Sequence, residues 1–226
     1  MSPVQRFWPM LMAGLIGGAA LAAPFAVASV SAAPRGEDAR RLAAEIVVMQ
    51  ADTARLSGPG LQELHRRGLK ARLGGGLALL PLLIRAARRD VPSWPAPDRG
   101  LIDGLRRALE ADKAADLAAG LARLAETYPF NTAGLLPPDT RPRALAAAGA
   151  VHENYCAGCH DEPDTEVPRP AWSLYELGRK APPRELAARL VIGVRGQNLT
   201  AMDNPLKDSE ISGLIAYYRR GAPDEN

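Results

Sequence analysis

The stretch Leu145–His160, LAAAGAVHENYCAGCH, decides how the chain is read. A run of helix-forming residues leads into Cys156-Ala157-Gly158-Cys159-His160, the C-x-x-C-H spacing of covalent haem attachment. With two residues between them, the cysteines lie about one helical turn apart. Each thiol can then add across one haem vinyl group and leave a thioether bond. His160, the next residue, is the expected proximal iron ligand. Two other chemistries compete for such a motif. A redox-active dithiol calls for a preceding strand and a βαβ pattern, and neither is present. Zinc calls for four ligands, whereas the whole chain holds three histidines and two cysteines. One haem c with its iron is therefore the expected cofactor.

Composition agrees with a helical, globular reading. The chain has 226 residues, 47 % hydrophobic and 23 % charged, which excludes collagen-like, disordered and polytopic membrane classes. Aromatics make up 5 %, 41 residues are alanine, and strand formers come in no regular runs, so the expected fold class is all-α. Two cysteines three positions apart cannot staple a fold with disulfides. A net charge of +3 gives no reason to expect nucleic acid as a partner.

The first residues look like an export signal. Arg6 is the only charge before Arg35, Leu11–Ala23 is apolar, and small residues follow Pro24. Residues 1–33 are read as a signal peptide cleaved after Ala28 or after Ala32/Ala33. If retained, the charge-free run from Phe7 to Pro34 would be a membrane tether. On either reading the remainder works outside the cytoplasm, and the expected location is the periplasm.

Residues 34–128 read as a helical domain, a small bundle with no assigned role. Leu42, Ile46, Met49, Thr53 and Leu56 share one face of a first helix, which Ser57-Gly58-Pro59-Gly60 stops. A second helix is expected from Leu61 to Leu73, ending at Gly74-Gly75-Gly76. A third is expected from Leu77 to Arg89, with Pro81 starting or kinking it. Leu101/Leu105/Leu109 and Leu117/Leu121/Leu124 mark a helical hairpin. His65 and Met49 read as packed side chains of their helices. Residues 129–143 carry four prolines and read as a linker. Charge changes across it, with 18 Lys/Arg against 13 Asp/Glu in residues 34–143 and 9 against 12 in residues 144–226. The basic clusters read as the wet faces of amphipathic helices.

From residue 144 to the end the chain resembles the class I cytochrome c family. Leu145–Tyr155 corresponds to the first helix of that family, Pro183–Val191 to its middle helix and Asp208–Arg219 to its closing helix. Leu199–Pro205 corresponds to the loop bearing the distal ligand, where the resemblance places Met202 on the iron. Leu214 and Tyr217 stand at the packing positions of the closing helix, and His152 stands where the first helix of the family offers an aromatic. The resemblance also implies that a carbonyl in Val167–Pro170 accepts from His160 Nδ1–H. Trp172 and Tyr175 then either pack on the haem or bond a propionate, or are ordinary core aromatics. The function implied is that of an electron carrier rather than an enzyme, passing single electrons between redox partner proteins. The alternatives are a gas-binding or sensing haem protein with an open sixth position, or the haem subunit of a larger oxidoreductase.

Overall fold

Alanine, leucine and arginine dominate the chain from Glu37 onward, and all three favour helix. The computed structural model describes residues 36–193, 204 and 206–221, and every regular element among them is a helix. The order is α1 (Glu37–Leu56), α2 (Glu63–Asp90), α3 (Arg99–Glu110), α4 (Ala114–Thr127), α5 (Pro142–Tyr155), α6 (Ala157–His160), α7 (Leu174–Lys180), α8 (Pro183–Ile192) and α9 (Asp208–Arg220). The all-α expectation holds. The export segment, residues 1–33, and Met202 with most of its loop lie outside the described residues. Among the described residues no helix is long and apolar enough to cross a membrane.

Helix α1 organises the molecule because it is apolar on two sides. Its expected face, Leu42, Ile46, Met49, Thr53 and Leu56, is buried. The apolar part of that face joins Leu73, Leu77, Leu80 and Ile84 of α2 and the Leu105 and Leu121 of the α3–α4 hairpin in one core. The opposite face, Ala43, Ala44, Val47 and Val48, lines a second core with Leu186, Val191, Ile211, Leu214 and Tyr218. A helix apolar on both sides is a central one, and α1 packs on α2, α4 and α8. Phe130 and Leu135, in the helix-free stretch between α4 and α5, are buried in that second core.

The expected break at Gly74–Gly76 does not occur. One 28-residue helix, α2, runs through the glycines and through Pro81. Its buried stripe, Leu73, Leu77, Leu80, Ile84 and Ala87, keeps the 3.6-residue period across both breakers, and that burial outweighs their poor propensity. Gly76 is needed by packing, since a Cβ there would lie 2.9 Å from Met49 Sδ and 3.0 Å from Glu45 Oε1 on α1. Pro81 has no N–H for the Leu77 carbonyl one turn back, and that carbonyl accepts from Arg106 Nη2 of α3 at 3.4 Å.

An ionic cluster crosses from the first core to the second. Arg72 of α2 reaches Glu45 at 2.9 Å and Asp52 at 3.4 Å on α1, while Arg189 of α8 reaches Asp52 at 2.6 Å. Glu185 pairs with Arg189 at 2.9 Å and with Arg55. Burial opposes the Arg189 charge, and the Asp52 and Glu185 carboxylates overcome it, so its pKa lies above the ordinary arginine value.

Candidate haem-attachment site

Helix α5 starts at Pro142, whose missing N–H costs nothing in a first turn, and ends at Tyr155. The Cys156 backbone, at φ −120° and ψ −41°, breaks the helix, and the single turn α6 carries the rest of the motif. Cys159 N and His160 N both donate to the Cys156 carbonyl, at 3.2 and 3.1 Å, which closes the turn between the two cysteines. Both thiols are free; Cys156 is half-buried and Cys159 exposed. Burial pushes the Cys156 thiol above its ordinary pKa, and a hydrogen bond with Tyr218 only partly opposes this.

His160 donates through Nδ1 to the Trp172 carbonyl at 2.6 Å. A carbonyl only accepts, so the proton is on Nδ1 and the lone pair of the neutral ring is on Nε2, as iron ligation requires. The acceptor is therefore not in Val167–Pro170 as the resemblance implied. The Pro168 carbonyl is turned towards α2, where a Cβ on Gly68 would lie 1.9 Å from its oxygen, and Pro170 is buried. Ser173 then caps α7 by accepting from Glu176 N at 3.4 Å, which fixes the chain just beyond Trp172.

The crossing of α5 and α9 supports the motif from behind. Gly213 of α9 sits so near α5 that a Cβ would be 3.0 Å from the Ala144 carbonyl, and Tyr217 lies against Gly149. His152, one turn before Cys156, is buried with both ring nitrogens engaged. Nε2 lies 3.1 Å from Asp161 Oδ1 and donates to it, and Nδ1 lies 3.1 Å from the Tyr218 hydroxyl. Edge contacts with Tyr175 at 5.1 Å and Tyr218 at 5.6 Å complete an aromatic cluster, closed by a 3.2 Å bond between the Tyr175 and Tyr217 hydroxyls. Burial raises the pKa of both Tyr218 and Tyr175, so both phenols stay neutral.

These residues fit a covalently attached haem. Two free thiols one turn apart and a histidine held in the Nε2-ligating tautomer are the donor set that the group needs. Among the described residues the exposed large hydrophobic side chains are Leu79 and Leu82 on α2 and Tyr155, Val167 and Trp172, and the last three belong to the end of α5 or the loop after the motif. Apolar groups exposed there suit a site that a macrocycle would cover. Trp172, 49 % exposed, is not the core aromatic of one expectation, whereas Tyr175 is partly buried in the cluster.

Of the loop that carries Met202 only the exit is among the described residues. Asn204 Nδ2 donates to the Val191 carbonyl at 3.0 Å and to the Leu190 carbonyl, and Leu206 N donates back to Asn204 Oδ1 at 3.0 Å. The loop that carries Met202 is therefore pinned to the end of α8 two residues after the methionine. Sequence reading passed over Asn204, although an Asn just before Pro205 is a turn signal. It also left His65 as mere packing, whereas His65 Nε2 lies 3.0 Å from the Thr165 carbonyl, in the loop after the motif. Comparison with protein-family models, with curated proteins and with solved structures returns no match to this chain.

Proposed function

We propose that the chain is an exported monohaem c-type cytochrome that carries single electrons between redox partner proteins, in the periplasm. The observation that supports this most is the His160–Trp172 contact at 2.6 Å beside two free thiols. A bound haem would supply one-electron chemistry at iron. Cys156 and Cys159 hold it by thioether bonds, and His160 ligates through Nε2. The Trp172 carbonyl holds the His160 ring in one tautomer and makes it a stronger donor. Met202 is the proposed distal ligand, and it leaves no position for a substrate. This makes the protein a carrier and not an enzyme.

The test is covalency. Full-length protein, expressed with a cytochrome c maturation system, is extracted in acidified organic solvent. The expected result is colour that stays with the polypeptide in the wild type and is lost from the Cys156→Ala/Cys159→Ala double variant. Complete extraction from the wild type would end the reading.

A further inference from the structure

The helices before residue 128 have so far had no function of their own, yet one of them touches the loop that holds the proximal histidine. His65, on α2, is buried. Its Nε2 faces the Thr165 carbonyl at 3.0 Å and so donates to it. Its ring stands edge-on to Trp172, with centroids 5.1 Å apart and planes at 82°. One turn along the same face, Gly68 lets the loop backbone come closer than any side chain would allow. A Cβ there would lie 1.9 Å from the Pro168 oxygen, 2.5 Å from its carbonyl carbon and 2.9 Å from Arg169 Cγ. Three contacts, at Thr165, Pro168 and Trp172, therefore fall on two positions of one helix. Trp172 is the residue whose carbonyl accepts from His160.

We propose that His65 and Gly68 form a seat on α2 for the Thr165–Trp172 loop, and that this seat sets the orientation of the His160 ring and its strength as an iron ligand. His65 is a positioning residue. It acts on His160 only through the loop, by a backbone hydrogen bond at one end and a ring contact at the other. A loop this exposed has few other anchors: residues 164 to 169 are exposed to solvent. Without the seat, the Trp172 carbonyl loses its fixed distance to Nδ1. A histidine with a weaker Nδ1 partner is a poorer donor and stabilises ferric iron less, so the midpoint potential rises. The inference rests on the function proposed above, because it concerns His160 as a ligand.

The experiment uses the full chain in wild-type form and as His65→Ala, His65→Gln, Gly68→Ala and Trp172→Leu. Two quantities are read: the midpoint potential by optical redox titration, and the rate at which a glutamyl endopeptidase cuts Glu166–Val167. His65→Ala, Gly68→Ala and Trp172→Leu should raise the ratio of reduced to oxidised protein at the wild-type midpoint by about tenfold, the low end for an outer partner of a ligand. They should also speed cleavage of the loop, because cleavage follows its opening. His65→Gln keeps a donor for the Thr165 carbonyl and should restore much of both. Trp172→Leu keeps the backbone carbonyl at a half-exposed position, so it reports even if Gly68→Ala does not fold. An unchanged midpoint in His65→Ala and Trp172→Leu overturns the proposal, whether or not cleavage accelerates. Failure of His65→Gln to restore either quantity also overturns it. If the wild type carries no haem while His65→Ala still speeds cleavage of the loop, the seat stands and the cytochrome reading falls. If the wild type carries haem and His65→Ala changes neither quantity, the seat falls and the cytochrome reading stands.

Discussion

Asp52 of α1 accepts from Arg189 of α8 at 2.6 Å, and through that contact the helices on either side of the proline-rich stretch share one buried ionic cluster. The Asp52 side chain is 3 % exposed and also meets Arg72, itself 15 % exposed. Removing this buried anion leaves Arg72 with Glu45 and Arg189 with Glu185, so two partly buried cations each lose a carboxylate partner, which costs more than the pair itself contributes. Asp52→Ala should therefore lower unfolding stability by about 3 kcal/mol, read as a drop in the urea midpoint. The exposed pair Lys180–Glu176 is the control, and Glu176→Ala should cost under ~0.5 kcal/mol. Equal small losses in both variants would mean that water screens the cluster.

Arg106 and Pro81 make a coupled pair. Wherever proline stands in a helix, the carbonyl four residues back lacks its donor, and here Arg106 Nη2 serves Leu77 O. Arg106→Ala should cost about 1 kcal/mol. In a Pro81→Ala background the helix supplies its own N–H, and the same substitution should cost almost nothing. Additive losses in the double-mutant cycle would show that the Arg106 contact carries no weight.

Tyr128 gives the alkaline behaviour of the first core. Its ring is buried against Trp94 at 5.2 Å, and its hydroxyl donates to the Pro95 carbonyl at 3.2 Å. Burial lifts its pKa above 10.0, with Asp98 adding to the shift and Arg88 opposing it. The folded value exceeds the unfolded one, so this contribution is whole below about pH 10 and is lost as pH climbs towards the folded value. Tyr128→Phe should cost about 1 kcal/mol near neutral pH and lose less stability than the wild type on going to about pH 11. Parallel losses in the two proteins would exclude Tyr128 as a source of the slope.

What the sequence disclosed was local, and what it withheld depended on partners far along the chain. The face Leu42–Leu56 could be read from spacing alone, whereas the helices Pro183–Ile192 and Asp208–Arg220 were legible only through the family resemblance, which implied them at Pro183–Val191 and Asp208–Arg219. The second apolar face of α1, Ala43, Ala44, Val47 and Val48, gave no warning, since small residues beside a strong stripe look neutral. Gly76 looked like a stop because its reason is Met49, on another helix. The acceptor for His160 was expected at Val167–Pro170, but the Pro168 carbonyl is turned towards Gly68, a contact with no local signal. The motif itself, Cys156 to His160, needed no partner to be legible.

Met202 carries the final prediction, and its basis is the sequence together with the pinned exit of its loop. After export processing the chain would keep two methionines, Met49 and Met202. Met49 is fully buried between α1 and α2, with its sulfur against Gly76, and so cannot reach the motif. His152 is buried, with its two ring nitrogens each 3.1 Å from a partner, Asp161 and the Tyr218 hydroxyl, so neither is open to the iron. Asn204, two residues after Met202, is bound to the Val191 carbonyl at the end of α8. A thioether is a soft, neutral ligand that favours ferrous iron, so His/Met ligation raises the potential. Met202→Ala should lower the midpoint by about 0.1–0.3 V, a fraction of the ~0.8 V that axial ligands span. It should also abolish the weak far-red sulfur-to-iron band of the ferric protein and open the ferrous iron to carbon monoxide. Asn204→Ala, which frees the exit of the loop but keeps the sulfur, should weaken that band without abolishing it. If the wild type lacks the band and binds carbon monoxide readily, the sixth position is open and the gas-binding reading replaces the carrier.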